Sequence, residues 1–152
     1  MPRLAIIVTG DRYWGNKPVE TAEQDVKLLR ATLDKLQPDI LIQGGAPGAD
    51  SLSGQWAEDN EYLLMPRDAA LAIPPTPGRH KYHIEVPAQW NLYGRAAGPI
   101  RNEDMRKLLE EFALKGYTVE VHGFHHDLNK SRGTKHMLSN AEKHGIKTVL
   151  HS

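Results

Sequence analysis

Short apolar runs alternate with helical patterns along most of this 152-residue chain, and that alternation constrains its fold more than any other feature. Residues 4–8 (Leu-Ala-Ile-Ile-Val) are continuously apolar, as in a strand covered on both faces. They stop in the turn Thr9-Gly10-Asp11-Arg12. Residues 19–36 then carry Val26, Leu29, Leu33 and Leu36 at helical spacing, and Pro38 closes the helix. A second strand over 39–43 ends in Gly44-Gly45-Ala46-Pro47-Gly48-Ala49-Asp50, and a helix over 50–60 follows with Leu52 and Trp56 inward. Residues 62–65 form a third strand. Further on come a helix over 99–116 with Pro99 in its first turn and Gly116 as its stop, a strand over 117–122, a helix over 134–144 ended by Gly145, and a strand over 146–150. Helices between successive strands imply parallel pairing and right-handed crossovers. The expected fold is α/β: one Rossmann-like domain over 1–152, an open, mainly parallel sheet of about five strands flanked by helices.

Residues 66–90 break the rhythm. They hold Pro74, Pro75, Pro77, Gly78 and Pro87, with His80, Lys81, Tyr82 and His83 among them. They read as a long inserted loop or lid over the sheet edge, with a short extended piece at 82–86. Long loops in compact domains are usually functional lids or disordered, and the aromatic and basic content here argues against full disorder. Trp56, Trp90 and Phe112 read as core residues.

Lysine and arginine number 19, as do aspartate and glutamate, so the formal net charge is zero and general nucleic-acid binding is not expected. The chain has no cysteine, which removes disulfides, thiolate metal sites and a cysteine nucleophile. The apolar run after Met1-Pro2-Arg3 is too short for a signal-peptide core, and no apolar stretch approaches the ~20 residues of a membrane span. A cytoplasmic protein without membrane contact is expected.

In a doubly wound sheet, ligands sit beyond the carboxyl ends of the strands, and three glycine turns fall there: 9–12, 44–50 and 131–134. A strand that stops in such a turn and opens into a helix presents bare amides and a positive dipole end to phosphate. Gly44, Gly45 and Gly48 permit close ligand approach, and Asp50 caps the next helix; the plain alternative is a tight turn with a capping residue. Arg12, beside Gly10, suits phosphate or carboxylate; alternatively it is a surface residue. Tyr13 and Trp14 offer a base-stacking face or pack the loop onto the body. In residues 93–102, Gly98 and its small neighbours leave room for a ligand while Arg95, Arg101 and Asn102 supply polar hooks. Arg101 opposes the dipole of its helix, which points to an anionic partner, either a ligand or a nearby carboxylate. Ser131, Gly133 and Thr134 can donate to phosphate at the start of the last helix, or serve as its cap.

His122, His125 and His126 cluster, and His80 and His83 lie in the insert. With no H-E-x-x-H motif, hydrogen-bonded or solvated histidines are expected rather than a metal site, and no cofactor is expected. No G-x-S-x-G elbow, Walker loop or G-x-G-x-x-G fingerprint is present, which disfavours a serine hydrolase, a Walker-type ATPase and a dehydrogenase.

Taken in order, residues 8–14, residues 44–50 with Trp56-Ala57, Trp90 with residues 93–102 and Met105, and residues 131–134 with Met137 resemble the YspA-like branch of the SLOG superfamily. That superfamily groups DprA/SMF proteins with the Lonely Guy phosphoribohydrolases. Ala97-Gly98-Pro99-Ile100-Arg101-Asn102 is the most specific piece. The resemblance implies a Rossmann-like sheet that binds a nucleotide or ADP-ribose-like ligand, in assemblies that are homodimers or larger. In the Lonely Guy relatives a Pro-Gly-Gly-x-Gly-Thr-x-x-Glu turn holds phosphate and supplies a catalytic Glu. Here residues 131–134 align with its later part and Met137 stands where the Glu should be. The relatives' Arg corresponds to Arg101. The expected function is therefore ligand binding at the carboxyl edge of the sheet. One form of it is N-glycosidic hydrolysis of a nucleoside 5′-monophosphate, with Asp50 or Glu103 first, then Asp104 or Asp127, as the catalytic carboxylate. The other is non-catalytic capture of an ADP-ribose-like or cyclic-nucleotide signal.

Overall fold

The computed structural model describes residues 3–72 and 81–152. Six parallel strands form one sheet in the order β3-β4-β2-β1-β5-β6, where β1 is Leu4–Gly10, β2 Ile40–Gln43, β3 Leu63–Leu64, β4 Tyr82–Glu85, β5 Thr118–Phe124 and β6 Lys147–His151. The helices are α1 Val19–Leu36, α2 Ala49–Asp59, α3 Arg67–Ala72, α4 Trp90–Tyr93, α5 Ala97–Leu114 and α6 Gly133–Lys143. Short 3-10 turns cover Gly94–Ala96 and Leu128–Lys130.

The continuous apolar runs end up in the middle of the sheet, as strands covered on both faces must. Period-two alternation sorts their side chains. Ala5, Ile7, Ile40 and Ile42 join Met105, Leu109, Phe112 and Met137 of α5 and α6 in one core. Ile6, Val8 and Leu41 join Leu29, Leu33, Trp56 and Ala57 of α1 and α2 in the other. Burying each such large side chain contributes roughly 1.5–3 kcal/mol, so the two layers clamp the sheet from both sides. α1 stops where Gln37 adopts a left-handed conformation (φ 44°) and returns its amide to the carbonyl of Leu33; Pro38 follows and cannot continue the ladder.

The expected α/β architecture is present, with one strand more than the pattern indicated. Residues 82–85 are not part of an excursion over the edge: β4 lies inside the sheet between β3 and β2, in register Ile40↔Tyr82 through Gln43↔Glu85. The third strand is thereby displaced to the edge, where Leu63 and Leu64 are exposed. Within the remainder of the expected insert, residues 73–80, including Pro74, Pro75, Pro77, Gly78 and His80, lie outside the described residues.

Chain order puts the functional edge at β1. The chain leaves β1 through α1 to reach β2 on one side, and later returns through α5 to β5 on the other. A crevice opens at such a reversal, beyond the carboxyl ends of the strands. No described helix is long and apolar enough to cross a membrane.

Candidate functional site

A cleft of about 960 Å³ occupies that crevice. It is bounded by the turn after β1, the turn after β2, the start of α5 and the segment between β5 and α6. Gly10, Arg12, Gly44, Gly45, Asp50, Arg101, Asn102, Ser131, Gly133 and Thr134 all line it, so most of the residues singled out in sequence come together.

The turn after β2 is not the open amide cradle that its glycines suggest. Oδ2 of Asp50 accepts from the amides of Gly44 and Ala46, each at 3.2 Å, and Oε1 of Gln43 accepts from the amide of Gly45 at 2.5 Å. The loop holds an anion of its own. Asp50 is 5% exposed, and burial pushes its carboxyl up to about 6, against the lowering effects of the Arg101 charge and of the two amides. Gly48 does not line the cleft. At φ +81° it packs against the backbone of Asp11 and Arg12, where a β-carbon would collide, and its role is to seat the two turns against each other.

Arg101 reaches across from α5. Its Nη1 donates to the carbonyl of Gly44 at 2.5 Å and its Nε to Oδ1 of Asn102 at 3.0 Å. The guanidinium lies so close over Gly44 that any side chain there would displace it. Burial lowers the Arg101 pKa and the Asp50 charge raises it. Asn102, 3% exposed, donates to the carbonyl of Gly133 at 3.3 Å and sits 3.1 Å from Nδ1 of His136, which ties α5 to the start of α6. There Oγ of Ser131 accepts from the amides of Thr134 (3.0 Å) and Lys135 (3.4 Å), the capping alternative. Among the described residues the amides of Arg12 and Gly133 keep no partner.

Besides Gly48, two predicted residues stand elsewhere. Glu103 faces away from the cleft: its carboxylate accepts from Arg106 and from Asn140, both at 2.5 Å, and the Arg106 contact holds it below the usual carboxylate range. Gly98 lies under the ring of Trp90, outside the cleft lining. Met137 is fully buried in the α5–α6 core.

The cleft also contains groups that the motifs did not single out. Lys17, Lys130 and Arg132 join Arg12 and Arg101 along its walls, facing Asp11, Asp50 and Asp127. Trp56 and Phe112 are core residues as expected, but Trp90 is 60% exposed and lines the cleft; it opens a four-residue helix, too short for a periodic pattern from which burial could be read. Tyr13, 46% exposed, also lines it, with the Arg12 guanidinium 5.8 Å and the Lys17 ammonium 5.3 Å from its ring centre. Trp14 takes the packing role instead, 1% exposed against Phe124.

The histidines separate. His122 and His151 pair across β5 and β6 at 2.9 Å, with Glu120 2.8 Å from the other nitrogen of His122. His83 pairs with Gln43 in the sheet. His125 and His126 line the cleft at the end of β5, and their signal in the sequence was their place immediately after a strand, on the ligand edge. Nδ1 of His125 accepts from the amide of Asp127 at 2.9 Å, and its Nε2 is 3.9 Å from Oδ2 of Asp11. Nε2 of His126 is 2.8 Å from Oδ1 of Asp25. Among the described residues no group of three or more His, Cys, Asp or Glu side chains is placed to hold a metal ion.

Residues 4–69 match the model of the YspA, cpYpsA-related SLOG family. That span contains β1, β2 and the turns that follow them. The gene 61 protein of Mycobacterium phage D29 is 25% identical over 144 residues, covering 95% of this chain and 93% of that protein. No solved structure matches the chain at a significant level. The six-stranded parallel sheet and the paired turns at its switch point agree with that match: over residues 4–69 the chain is similar to the YspA, cpYpsA-related SLOG family, a similarity that suggests a nucleotide-derived ligand.

Proposed function

We propose that the cleft binds a nucleotide or nucleotide-derived phosphate ligand at the carboxyl edge of the sheet. The observation that carries this reading is Arg101. It is half-buried at the cleft wall, two of its N–H groups are engaged by Gly44 and Asn102, and its remaining donors have no partner among the described residues. A guanidinium has five donors in a rigid fork suited to phosphate oxygens. Arg12, Lys17, Lys130 and Arg132 add positive charge, and the free amide of Gly133 opens α6 with its positive dipole end. Tyr13 and Trp90 supply exposed rings on the same walls for the rest of the ligand.

The phosphate in this reading lies toward Arg101, Gly133 and the basic walls, not in the loop over 44–50, where Asp50 already holds the amides. Above pH ~6 the ionised Asp50 competes with a phosphate for Arg101; its protonation below that value removes the competitor.

Capture without turnover, as a sensor or sponge of an ADP-ribose-like or cyclic-nucleotide signal, is favoured by the carboxylates. Asp50 is held by the loop, Glu103 faces Arg106 and Asn140, and Met137 is in the core. Of the candidate carboxylates for N-glycosidic hydrolysis, Asp127 alone lines the cleft without serving the turn over 44–50. The test of binding is thermal shift and calorimetry with ribose 5-phosphate, the four common nucleoside 5′-monophosphates and ADP-ribose. A saturable rise in Tm with at least one of them is expected, and it is lost in Arg101→Ala. Equal behaviour of wild type and Arg101→Ala, or no shift with any compound, overturns the reading.

A further inference from the structure

The cations that line the cleft are donors, which suits the oxygens of an anionic ligand; one nitrogen is arranged the other way round. His126 follows β5 directly, and its side chain, 39% exposed, lines the cleft. Its Nε2 lies 2.8 Å from Oδ1 of Asp25 in α1, a side chain 3% exposed. The other oxygen of Asp25 accepts from the amide of Gly15 and the hydroxyl of Thr21, each at 3.4 Å. A carboxylate only accepts, so Nε2 of His126 carries the hydrogen and Nδ1 of the uncharged ring keeps a lone pair. That lone pair has no partner among the described residues, whereas the Nδ1 of His125 is occupied by the Asp127 amide. The ring cannot turn freely to hide it. Trp14 stacks on its face, centroids 4.6 Å apart, and the same indole donates to the carbonyl of Asp25 at 2.9 Å.

A lone pair next to a phosphate oxygen sets acceptor against acceptor. Either the ligand brings a donor to Nδ1, or Nδ1 gains a proton. The surroundings favour the second. Imidazole is the side chain that exchanges protons in the neutral range, and once protonated it donates from both nitrogens. Asp25 is already in place as counter-charge on the far side of the ring. The other charged groups of the cleft are Asp11, Arg12 and Lys17 after β1, Asp50 and Arg101 across from them, and Asp127, Lys130 and Arg132 beside His125 before α6. An anionic ligand offsets the cations in that set, and a nearby negative charge favours the protonated imidazole. The proton therefore enters with the ligand.

We infer that His126 binds the anionic group of the ligand as an imidazolium and takes up its proton as the ligand enters, with Asp25 as its positioning residue. The inference rests on the phosphate-binding reading and goes beyond it, because it adds His126 to the site and makes affinity depend on pH. In the step, a proton leaves the buffer and bonds to the lone pair of Nδ1. No other covalent bond forms or breaks. Nδ1–H then donates to a ligand oxygen while Nε2–H stays on Asp25. Uptake of a proton means that affinity rises as pH falls, by up to about tenfold per pH unit.

The test titrates the full chain with ribose 5-phosphate and with ADP-ribose by calorimetry at pH 7, 8 and 9. Buffers of different ionisation enthalpy count the protons exchanged, and Tm is followed in parallel. The range lies above the change at Asp50, at about 6, and above the second ionisation of a phosphate monoester, at about 6, so neither supplies the signal. Wild type is expected to take up protons on binding and to lose affinity toward pH 9. His126→Asn is expected to bind more weakly at pH 7, to take up none, and to vary little with pH. A merely structural role for His126 would lower Tm and affinity without changing the proton count. Asp25→Asn is expected to reduce the uptake; if it does not fold, His126→Asn decides. Equal uptake in wild type and His126→Asn, or binding without uptake in wild type, overturns the inference while binding stands. An affinity loss in His126→Asn that is the same at all three pH values shows Nδ1 accepting from a ligand donor, and overturns it too. Binding of neither compound overturns both the inference and the reading beneath it.

Discussion

The two walls of the cleft are built from similar sequence and behave differently. On the β2 side, the turn over residues 44–50 combines glycines with an aspartate at the start of α2, and its amides close on Asp50 and Gln43 from the same turn. On the β5 side, the turn before α6 also pairs a glycine with a polar cap, yet Ser131 takes only two amides and leaves Gly133, His126 and the basic side chains facing the cleft. A glycine-rich turn therefore does not by itself mean a vacant anion site. What matters is whether the chain brings its own carboxylate to the amides. On one wall it does, and the turn becomes scaffold. On the other wall it does not, and the amide of Gly133 stays without a partner among the described residues.

Substitutions can break this contrast. The largest effect is expected at Arg101, which joins the two walls. Losing charge-assisted hydrogen bonds of about 1.5–3 kcal/mol should weaken binding of a nucleoside monophosphate by roughly 10- to 100-fold, read by calorimetry, with little change in Tm. If the β2 turn is scaffold, Asp50→Ala should act on stability. Two buried amides lose their acceptor at about 1–3 kcal/mol, a fall in Tm of roughly 3–10 °C in a domain of this size, read by thermal melting. A Tm equal to wild type would mean that the turn does not depend on its internal anion.

Ser131→Ala tests the other wall. It removes a helix cap at about 0.5–2 kcal/mol but also releases the Thr134 and Lys135 amides toward the cleft, so ribose 5-phosphate affinity should hold or rise while Tm falls. A parallel loss of affinity would show that the Ser131 hydroxyl itself belongs to the site. Trp90→Ala should shift stability by less than about 0.5 kcal/mol, as for other exposed positions, while narrowing by several-fold the preference for a nucleoside monophosphate over ribose 5-phosphate. An unchanged preference removes Trp90 from the base side of the cleft.

The last test concerns pH. Burial lowers His151 from 6.5 to about 4, with His122 adding to the shift. The unfolded chain then binds the proton that the folded one refuses, so stability falls as pH drops from about 6.5 toward 4. Asp50, raised to about 6, works in the opposite sense: its burial costs stability as pH rises from about 4 to about 6. His151→Gln should therefore gain Tm relative to wild type as pH is lowered through that window, measured by paired melts at pH 7 and pH 4.5. A constant difference between the two proteins would show that His151 is not the group responsible.

Much of this was legible before any coordinates. The apolar runs at residues 4–8 and 40–42, the helix closed by Pro38 and the residues around Arg101 and Asn102 all carry local patterns that physics reads directly. β4 was not legible as an inner strand: Tyr82-His83-Ile84-Glu85 has one aliphatic residue, and it is a strand because β2 and β3 present free edges to it. Glu103 follows Asn102 in the helix, about 100° further round, and there Arg106 and Asn140 hold its carboxylate.

From its residues alone, this chain was committed to a doubly wound parallel sheet with glycine turns at the carboxyl ends of its strands. Those properties depend on period, turn chemistry and chirality, all of which act over a few neighbouring residues. Tertiary structure decided which donors stay free. Asp25 and His126 are 101 positions apart, and no spacing rule brings a buried carboxylate to a histidine at that range; the core that gathers Leu29 and Leu33 of α1 with Trp14 and Phe124 does. Hydrogen bonds form between whatever groups the fold places together, and that placement is a property of the assembled layers.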